Sequence, residues 1–466
     1  MRSRFIKKTI SIALLLTTLT ASVFNTFSIT TTYAESNSVS EDSLLSAWPK
    51  APEVSAGNAI LIDADTGAIL YEKNAYEKCY PASTTKILTG LLTVENCNMN
   101  ETVTFSREAA NSVTWEDSNL ATKAGEEYSI EESLYGLLLY SANEIAYGLA
   151  EHVSGSLSTF VDMMNARAKE LGALNTHFSN ASGLYSPDHY TTAYDMAMIA
   201  RGCYNNSTFV NIDSTYEIYT IAPTNVTPQS RTFRHRHLML KGREFYYEYC
   251  KGGKTGFTDQ SGYTLVTFAE KNDMRLICVL FNCSDSNIRF VDTRTLFDWG
   301  FNNFRKVTTS SDTISSYFSG DSYYNSNIYS SYRHNFNLSA STLTIPNTAN
   351  VSDISLIVDS NYQPTDENGV YTTGIDFKYG SNTVATSLLT FSSGAPVSDE
   401  RLPYLQKSAN ENAPSARKCI SINIWFIVVA FSGIIIIICV VNDIKRSQRR
   451  NMHARRHMRR RRINRY

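Results

Sequence analysis

The sequence predicts an α/β fold: an antiparallel sheet flanked by a helical block, followed by a small β-rich domain and a C-terminal transmembrane helix. Three observations predict it. "GNAILIDADTGAILYEKNA" (57–75) is two short apolar runs joined by an Asp-Thr-Gly turn, the signature of a hairpin. From 81 to about 205 apolar residues recur at helical spacing, and after 246 strand-like runs return. A sheet that opens, gives way to helices and is completed later packs helices on a mostly antiparallel sheet.

Each element follows from its own stretch. Residues 1–34 run from the basic "MRSRFIKK" through an apolar core to "TTYAES", the order of a secretory signal cleaved after Ala34. The main domain is expected over 45–305. Its helices are read at "TKILTGLLTVEN" (85–96), "IEESLYGLLLYSANEIAYGLAEHV" (130–153), "LSTFVDMMNARAKELGA" (157–173) and "TAYDMAMIARGCY" (192–204). Its later strands are "YYEYCKGGKTGF", "GYTLVTFAEK" and "MRLICVLFNC", and "NIRFVDTRTLFDWGFNNF" closes it as a helix. Beyond 306 the chain turns rich in Ser, Tyr and Asn, and "DISLIVDS" and "TGIDFKYG" alternate like strands; 307–400 is read as the β-rich domain. Residues 401–419 form a tether. Residues 420–441 carry no charge over 22 positions, roughly 33 Å as a helix, enough to span a bilayer. The basic tail 442–466 marks the cytoplasmic side. The expected location is the cell membrane, single-pass, with the body extracytoplasmic and the tail cytoplasmic.

The net charge of −1 conceals a division. The first 34 residues carry +4 and the last 25 carry +10, which leaves −15 on the body. An acidic body with basic ends excludes nucleic acid as its partner. Hydrophobic content of 42% and charged content of 19% are those of a folded chain. The eight cysteines form no Cys-x-x-Cys pair, so a zinc ribbon or a dense disulfide scaffold is not expected, and whether any of them pair stays open.

Chemistry concentrates in three short motifs. "PASTTK" puts Ser83 three residues before Lys86 at a helix start, where exposed N–H groups and the helix dipole favour a developing oxyanion. Lys86 projects on the same face one turn later. A serine hydroxyl is a weak nucleophile until a base takes its proton, and a lysine can do so only when burial and nearby positive charge lower its pKa. "YSANEIA" supplies Ser141, able to relay a proton, and Asn143, able to hold a substrate amide. "KGGKTGFT" supplies Lys254 as the second positive charge, with Thr255 and Gly256; the glycine clears space for an extended peptide beside the strand.

Ser-x-x-Lys, Ser-x-Asn and Lys-Thr-Gly in that order are the element set of the penicillin-interacting serine acyl-transfer enzymes. With "HFSNASGLYSPDHYTTAYDMAMIAR" (177–201) and the run 252–301, the chain resembles the D-alanyl-D-alanine carboxypeptidases, the low-molecular-mass penicillin-binding proteins, over roughly 55–305. The resemblance implies a penicillin-binding/β-lactamase-like fold and a penicillin-sensitive two-step hydrolysis of peptidoglycan stem pentapeptides through an acyl-enzyme on Ser83. It implies that backbone N–H groups of Ser83 and Phe257 form the oxyanion hole. It also implies that Arg289, with Thr255 beside it, holds the substrate's terminal carboxylate. The partners implied are stem peptides, β-lactams as covalent inhibitors, and the membrane through the C-terminal helix; no cofactor and no metal are expected. The C-terminal segment departs from the family, which often uses an amphipathic helix lying on the membrane.

Two rival readings stand beside this one. A β-lactamase would carry Glu-x-x-Leu-Asn for deacylation; "ELGALN" (170–175) is one residue too long and reads as a helix end. A receptor would acylate without turnover and signal through its tail, but 25 basic-rich residues without a folded pattern make a poor signalling domain. Other residues have plain readings. "RHRH" (234–237) lacks partners at metal-ligand spacing, His177 and His189 are structural, and "EEYSIEES" is a helix start with acidic residues on the dipole. Tyr140 is read as a packing residue, with the cleft wall as its alternative place, and Cys79 is read as buried rather than catalytic.

Overall fold

The structure, a computed structural model, describes residues 48–114, 116–309, 336–337, 341–358, 363–364 and 370–392. The signal segment, the tether, the 420–441 span and the basic tail lie outside the described residues. Among those described, no helix is long and apolar enough to cross a membrane.

Strands β1 (Asn58–Asp63) and β2 (Ile69–Lys73) form the opening hairpin. Asp63 shapes its turn: one carboxylate oxygen accepts the backbone N–H groups of Asp65 and Thr66. A short 3₁₀ turn, Ala82–Thr85, leads into α1 (Lys86–Asn96). The helical block continues through β3 (Thr102–Thr104), α2 (Arg107–Ala110), β4 (Glu127–Ser129) and α3 (Ile130–Tyr135), then α4 (Asn143–Ser154), α5 (Leu157–Glu170), α6 (Ala193–Tyr204) and α7 (Ser207–Asp213). The small pair β5 (Tyr219–Ile221) and β6 (Arg231–Phe233) precedes three long strands, β7 (Cys250–Thr258), β8 (Gly262–Lys271) and β9 (Met274–Cys283), and α8 (Ile288–Asn303).

The main sheet has the order β2-β1-β9-β8-β7 and is antiparallel throughout. Pleating sends alternate residues to opposite faces. Ile60, Ile62, Val266, Phe268, Ile277 and Val279 join the core of the helical block, while Ala59, Leu61, Leu265, Leu276 and Leu280 pack with Phe290, Leu296 and Phe297 of α8. Both faces are covered, so β1 is buried along its whole length, and its centre, Ala59 to Ile62, is an unbroken apolar run between Asn58 and Asp63. The turn between β8 and β9 sets Asn272 and Asp273 at positive φ, as a two-residue hairpin requires.

One expected element is corrected. The apolar run 130–153 is not a single helix: α3 passes into a π-helical turn, Gly136–Tyr140, and the chain breaks at Ser141, whose φ is +69°. The Leu-rich spacing continues across the break, so periodicity does not reveal it. The acidic start of α3 is a capping box, with Ser129 accepting from the Glu132 N–H and the Glu132 carboxylate accepting from the Ser129 N–H.

Beyond α8 the chain is β-rich. β10 (Phe304–Thr308) follows the helix without a linker and pairs with β12 (Thr342–Pro346). A second sheet contains β11 (Phe336–Asn337), β13 (Ile354–Val358), β14 (Gln363–Pro364), β15 (Val370–Tyr379) and β16 (Asn382–Ser392). Trp48 sits edge-on to Phe304, its ring 5.0 Å away, and Thr66 shares a 2.8 Å hydrogen bond with Thr344, so this region is packed on the main sheet.

Candidate active site

Three elements meet at one cleft. The 3₁₀ turn running into α1 carries Ser83, with Lys86 as the first residue of the helix, the break that opens α4 carries Ser141, with Asn143 as the first residue of that helix, and β7 runs alongside with Lys254, Thr255, Gly256 and Phe257. Strand and turn approach closely: a Cβ at Gly256 would lie 2.8 Å from the Ser83 nitrogen and 2.4 Å from Thr264 Oγ1, so only glycine fits. Residues next to or at both serines are held in a region non-glycine residues seldom adopt, Ala82 at φ +48° and Ser141 at φ +69°. Such strain costs on the order of 1 kcal/mol each and clusters where geometry is over-determined.

Lys86 is fully buried. Its ammonium nitrogen donates to Ser83 Oγ at 3.2 Å, to Asn143 Oδ1 at 2.6 Å and to the Ser182 carbonyl at 2.6 Å. Burial lowers its pKa to about 7, with Arg236 contributing in the same direction and Glu144 opposing. The drop penalises the charged amine by roughly 5 kcal/mol and leaves about half the lysines neutral at pH 7. Lys254 is also buried, donating to Ser141 Oγ and to the Thr255 carbonyl, each at 2.9 Å. Its pKa is pushed well down, by burial first and then by Lys86. Arg236 acts on Lys86 as a second cation beside the expected Lys254, whose own charge is disfavoured by Lys86.

An amine that takes the Ser83 proton, the role expected of Lys86, must be neutral, so its pKa sets a pH profile. The rate of covalent penicillin capture is expected to fall about tenfold per pH unit below pH 7 and to level off above it, read by stopped-flow or gel fluorescence with a labelled penicillin. The same shift acts on stability. Between about pH 7 and 10.5 the unfolded chain holds a lysine proton that the folded chain has lost, so this residue makes stability rise with pH across that window.

Arg289 stands at the β7–β8 end of the cleft. Its Nε donates to the Ser286 carbonyl, and Nη1 donates to the carbonyls of Gly256 and Thr264, both at 3.0 Å. Burial lowers its pKa to about 10, which still leaves it charged at neutral pH. Thr255 is half-buried on β7, and the Phe257 side chain is exposed and packs on Tyr263 with ring centres 4.5 Å apart.

Several site residues escaped the sequence reading. Arg236, part of the "RHRH" run, lies over the Tyr140 ring at 4.4 Å and donates to Ser118 Oγ. The neighbouring histidines are buried and hydrogen-bonded, His235 to Asp213 and His237 to Thr267. Asp213 also accepts the Gly253 N–H just before Lys254. Asn180 Oδ1 accepts the N–H groups of Ser182 and Gly183, fixing the carbonyl that receives Lys86. His189 is a structural residue bonded to Thr85 Oγ1 at 2.8 Å, and burial lowers its pKa to about 3. Cys79 is buried and its thiol is pushed up to about 12, as an inert cysteine's would be. Glu170 ends α5 in a surface pair with Arg167, away from the cleft.

Residues 46–285 match the model of the peptidase S11 family, D-alanyl-D-alanine carboxypeptidase. The chain belongs to this family. It is similar to D-alanyl-D-alanine carboxypeptidase DacF of Bacillus subtilis, 35% identical over 254 residues that make up 53% of this chain and 63% of the relative. It is likewise similar to DacC of Escherichia coli, 33% identical over 56% of this chain and 64% of the relative. This S11 chain therefore spans a little under two thirds of the length of these two relatives. The crystal structure of the Streptomyces K15 DD-transpeptidase aligns with a TM-score of 0.51 at 28% identity, covering 55% of this chain and all of that one.

Proposed function

We propose that the protein is a serine-type D-alanyl-D-alanine carboxypeptidase acting on peptidoglycan stem pentapeptides and captured by β-lactams. The observation that carries this reading is Lys86, buried, lowered to about 7 and 3.2 Å from Ser83 Oγ: an amine poised to take the hydroxyl proton. Ser83 then attacks the carbonyl of the penultimate D-alanine. N–H groups of Ser83 and Phe257 receive the oxyanion. Ser141, held by Lys254, returns a proton to the leaving amine, terminal D-alanine departs, and water hydrolyses the acyl-enzyme. Asn143 Oδ1 is taken by Lys86, so its Nδ2 is the group offered to a substrate carbonyl.

Arg289 Nη2 takes part in none of the bonds made by Nε and Nη1 and is the donor offered to the terminal carboxylate, with Thr255 nearby. Arg289→Ala is expected to lower kcat/KM for a pentapeptide about 30- to 100-fold, a loss of roughly 2–3 kcal/mol from one charged hydrogen bond, while capture of a β-lactam changes less. Both are read from steady-state D-alanine release and penicillin labelling.

A β-lactamase is disfavoured by the position of Glu170 on the surface. The solved structure named above is of a DD-transpeptidase, and in the reading proposed here the acceptor that meets the acyl-enzyme decides between hydrolysis and transfer. Repeated release of D-alanine from a peptide ending in D-Ala-D-Ala supports the hydrolase; a single stoichiometric release, or none, favours a receptor. The location proposed is the cell membrane, with the signal segment 1–34 exporting the body, 420–441 spanning the bilayer and the basic tail inside. Their composition supports it. A protease-protection assay on intact cells, with the tail shielded and the body cleaved, tests it.

A further inference from the structure

At the far end of the helical block, three side chains of metal-ligating type converge. Cys97 caps the C-terminus of α1, His152 lies in the last turn of α4, and Glu101 leads into β3. One donor atom from each lies within 4.8 Å of the other two, and all three residues are half-buried. His152 Nε2 is 3.2 Å from Glu101 Oε2. The other carboxylate oxygen accepts the backbone N–H and the side-chain amide of Asn98, both at 2.7 Å, which turns Oε2 toward the imidazole. The 97–101 loop is itself tied down. The Glu101 N–H donates to the Asn98 carbonyl, and the N–H groups of Ile130 and Glu131 donate to the carbonyls of Glu101 and Met99.

We infer that Cys97, Glu101 and His152 form a binding site for a zinc-class divalent cation, through one thiolate, one carboxylate oxygen and one imidazole nitrogen, with a fourth position for water. The donor set decides the class. A thiolate with an imidazole suits zinc and is foreign to magnesium or calcium. Spacing agrees: nitrogen and oxygen donors about 2.0–2.1 Å from a tetrahedral zinc stand about 3.3 Å apart, close to the 3.2 Å present, and the sulfur has at most about 1.2 Å to close. On binding, the Cys97 S–H bond breaks, its proton goes to solvent and a sulfur–metal bond forms.

The place gives the site its purpose. Lys86 and Cys97 stand at opposite ends of α1, about 16 Å apart along its axis, and Asn143 and His152 are disposed similarly on α4. A cation joining the two C-termini fixes the relative placement of the helices whose starts build the cleft, without touching the reacting atoms. The alternative is a bare imidazole–carboxylate pair beside an idle thiol.

The test is cobalt and zinc titration of the full chain after chelator treatment. One equivalent of cobalt is expected to bind with a sulfur-to-cobalt charge-transfer band, displaced by zinc. Cys97→Ser abolishes the band, and His152→Ala weakens cobalt binding at least tenfold. Zinc at a hundredfold excess over Kd raises the thermal midpoint by about 5 °C. Should Cys97→Ser fail to fold, alkylation of the unaltered chain decides the matter: zinc shields the Cys97 peptide from iodoacetamide. Absence of stoichiometric uptake, a band that survives Cys97→Ser, or equal alkylation with and without zinc overturns the inference. None of these readouts depends on peptidase activity, so the proposed function stands or falls separately.

Discussion

Ser83→Ala is expected to abolish covalent labelling by penicillin and to lower D-alanine release by about a millionfold, the loss seen when a nucleophile acting as one unit with its base is removed. Lys86→Ala should be comparably damaging, since the amine 3.2 Å from Ser83 Oγ is, in its neutral form, the base proposed to take the hydroxyl proton. The double variant should be no worse than either single one. Additive losses would mean that the two act independently, and mass spectrometry of the acylated chain together with steady-state rates would reveal it.

Gly183→Ala carries the second large effect, although Gly183 makes no contact that sequence would single out. Its φ is +88°, and an added Cβ would lie 1.8 Å from the Ala82 carbonyl oxygen and 2.9 Å from Thr85 Oγ1. The turn that presents Ser83 must move by more than an ångström to admit it. A displacement of that size costs about a hundredfold in rate, and stability should fall by roughly 2–3 kcal/mol. Gly172→Ala supplies the control. Gly172 has φ +90° with nothing within 4 Å, so its alanine bears backbone strain alone. It should lose about 1 kcal/mol and acylate normally. Equal rates of penicillin capture in the two variants would show that the turn is not held by this contact.

Much of this was legible in the chain because the signals are local. The hairpin at 57–75, the helices α1, α5 and α6 and the strands β7, β8 and β9 each announce themselves through periodicity and turn residues. Ser83 and Lys86 are legible because one helical turn brings them together whatever surrounds them. What escaped is non-local or carries no side-chain signal. The break at Ser141 hides in a Leu-rich run whose spacing continues across it, and only packing against the rest of the block stabilises the strained residue. The Ser182 carbonyl is a backbone atom and has no letter of its own. Arg236 sits between two histidines, where a metal reading draws attention, and its effect on Lys86 depends on a fold that returns the chain to the cleft well after α4.

The sheet order has a bearing on biogenesis. Strand β1 pairs with β9, Asn58 opposite Phe281, across more than two hundred intervening positions. The first strand to leave the ribosome therefore waits for the last one of its sheet, and the intervening helices must form while its second edge is still open. Such late closure slows folding and lengthens exposure of an apolar ribbon. A nascent chain halted before Met274 would hold every site side chain except Arg289 and still lack the strand that joins β1 to β8.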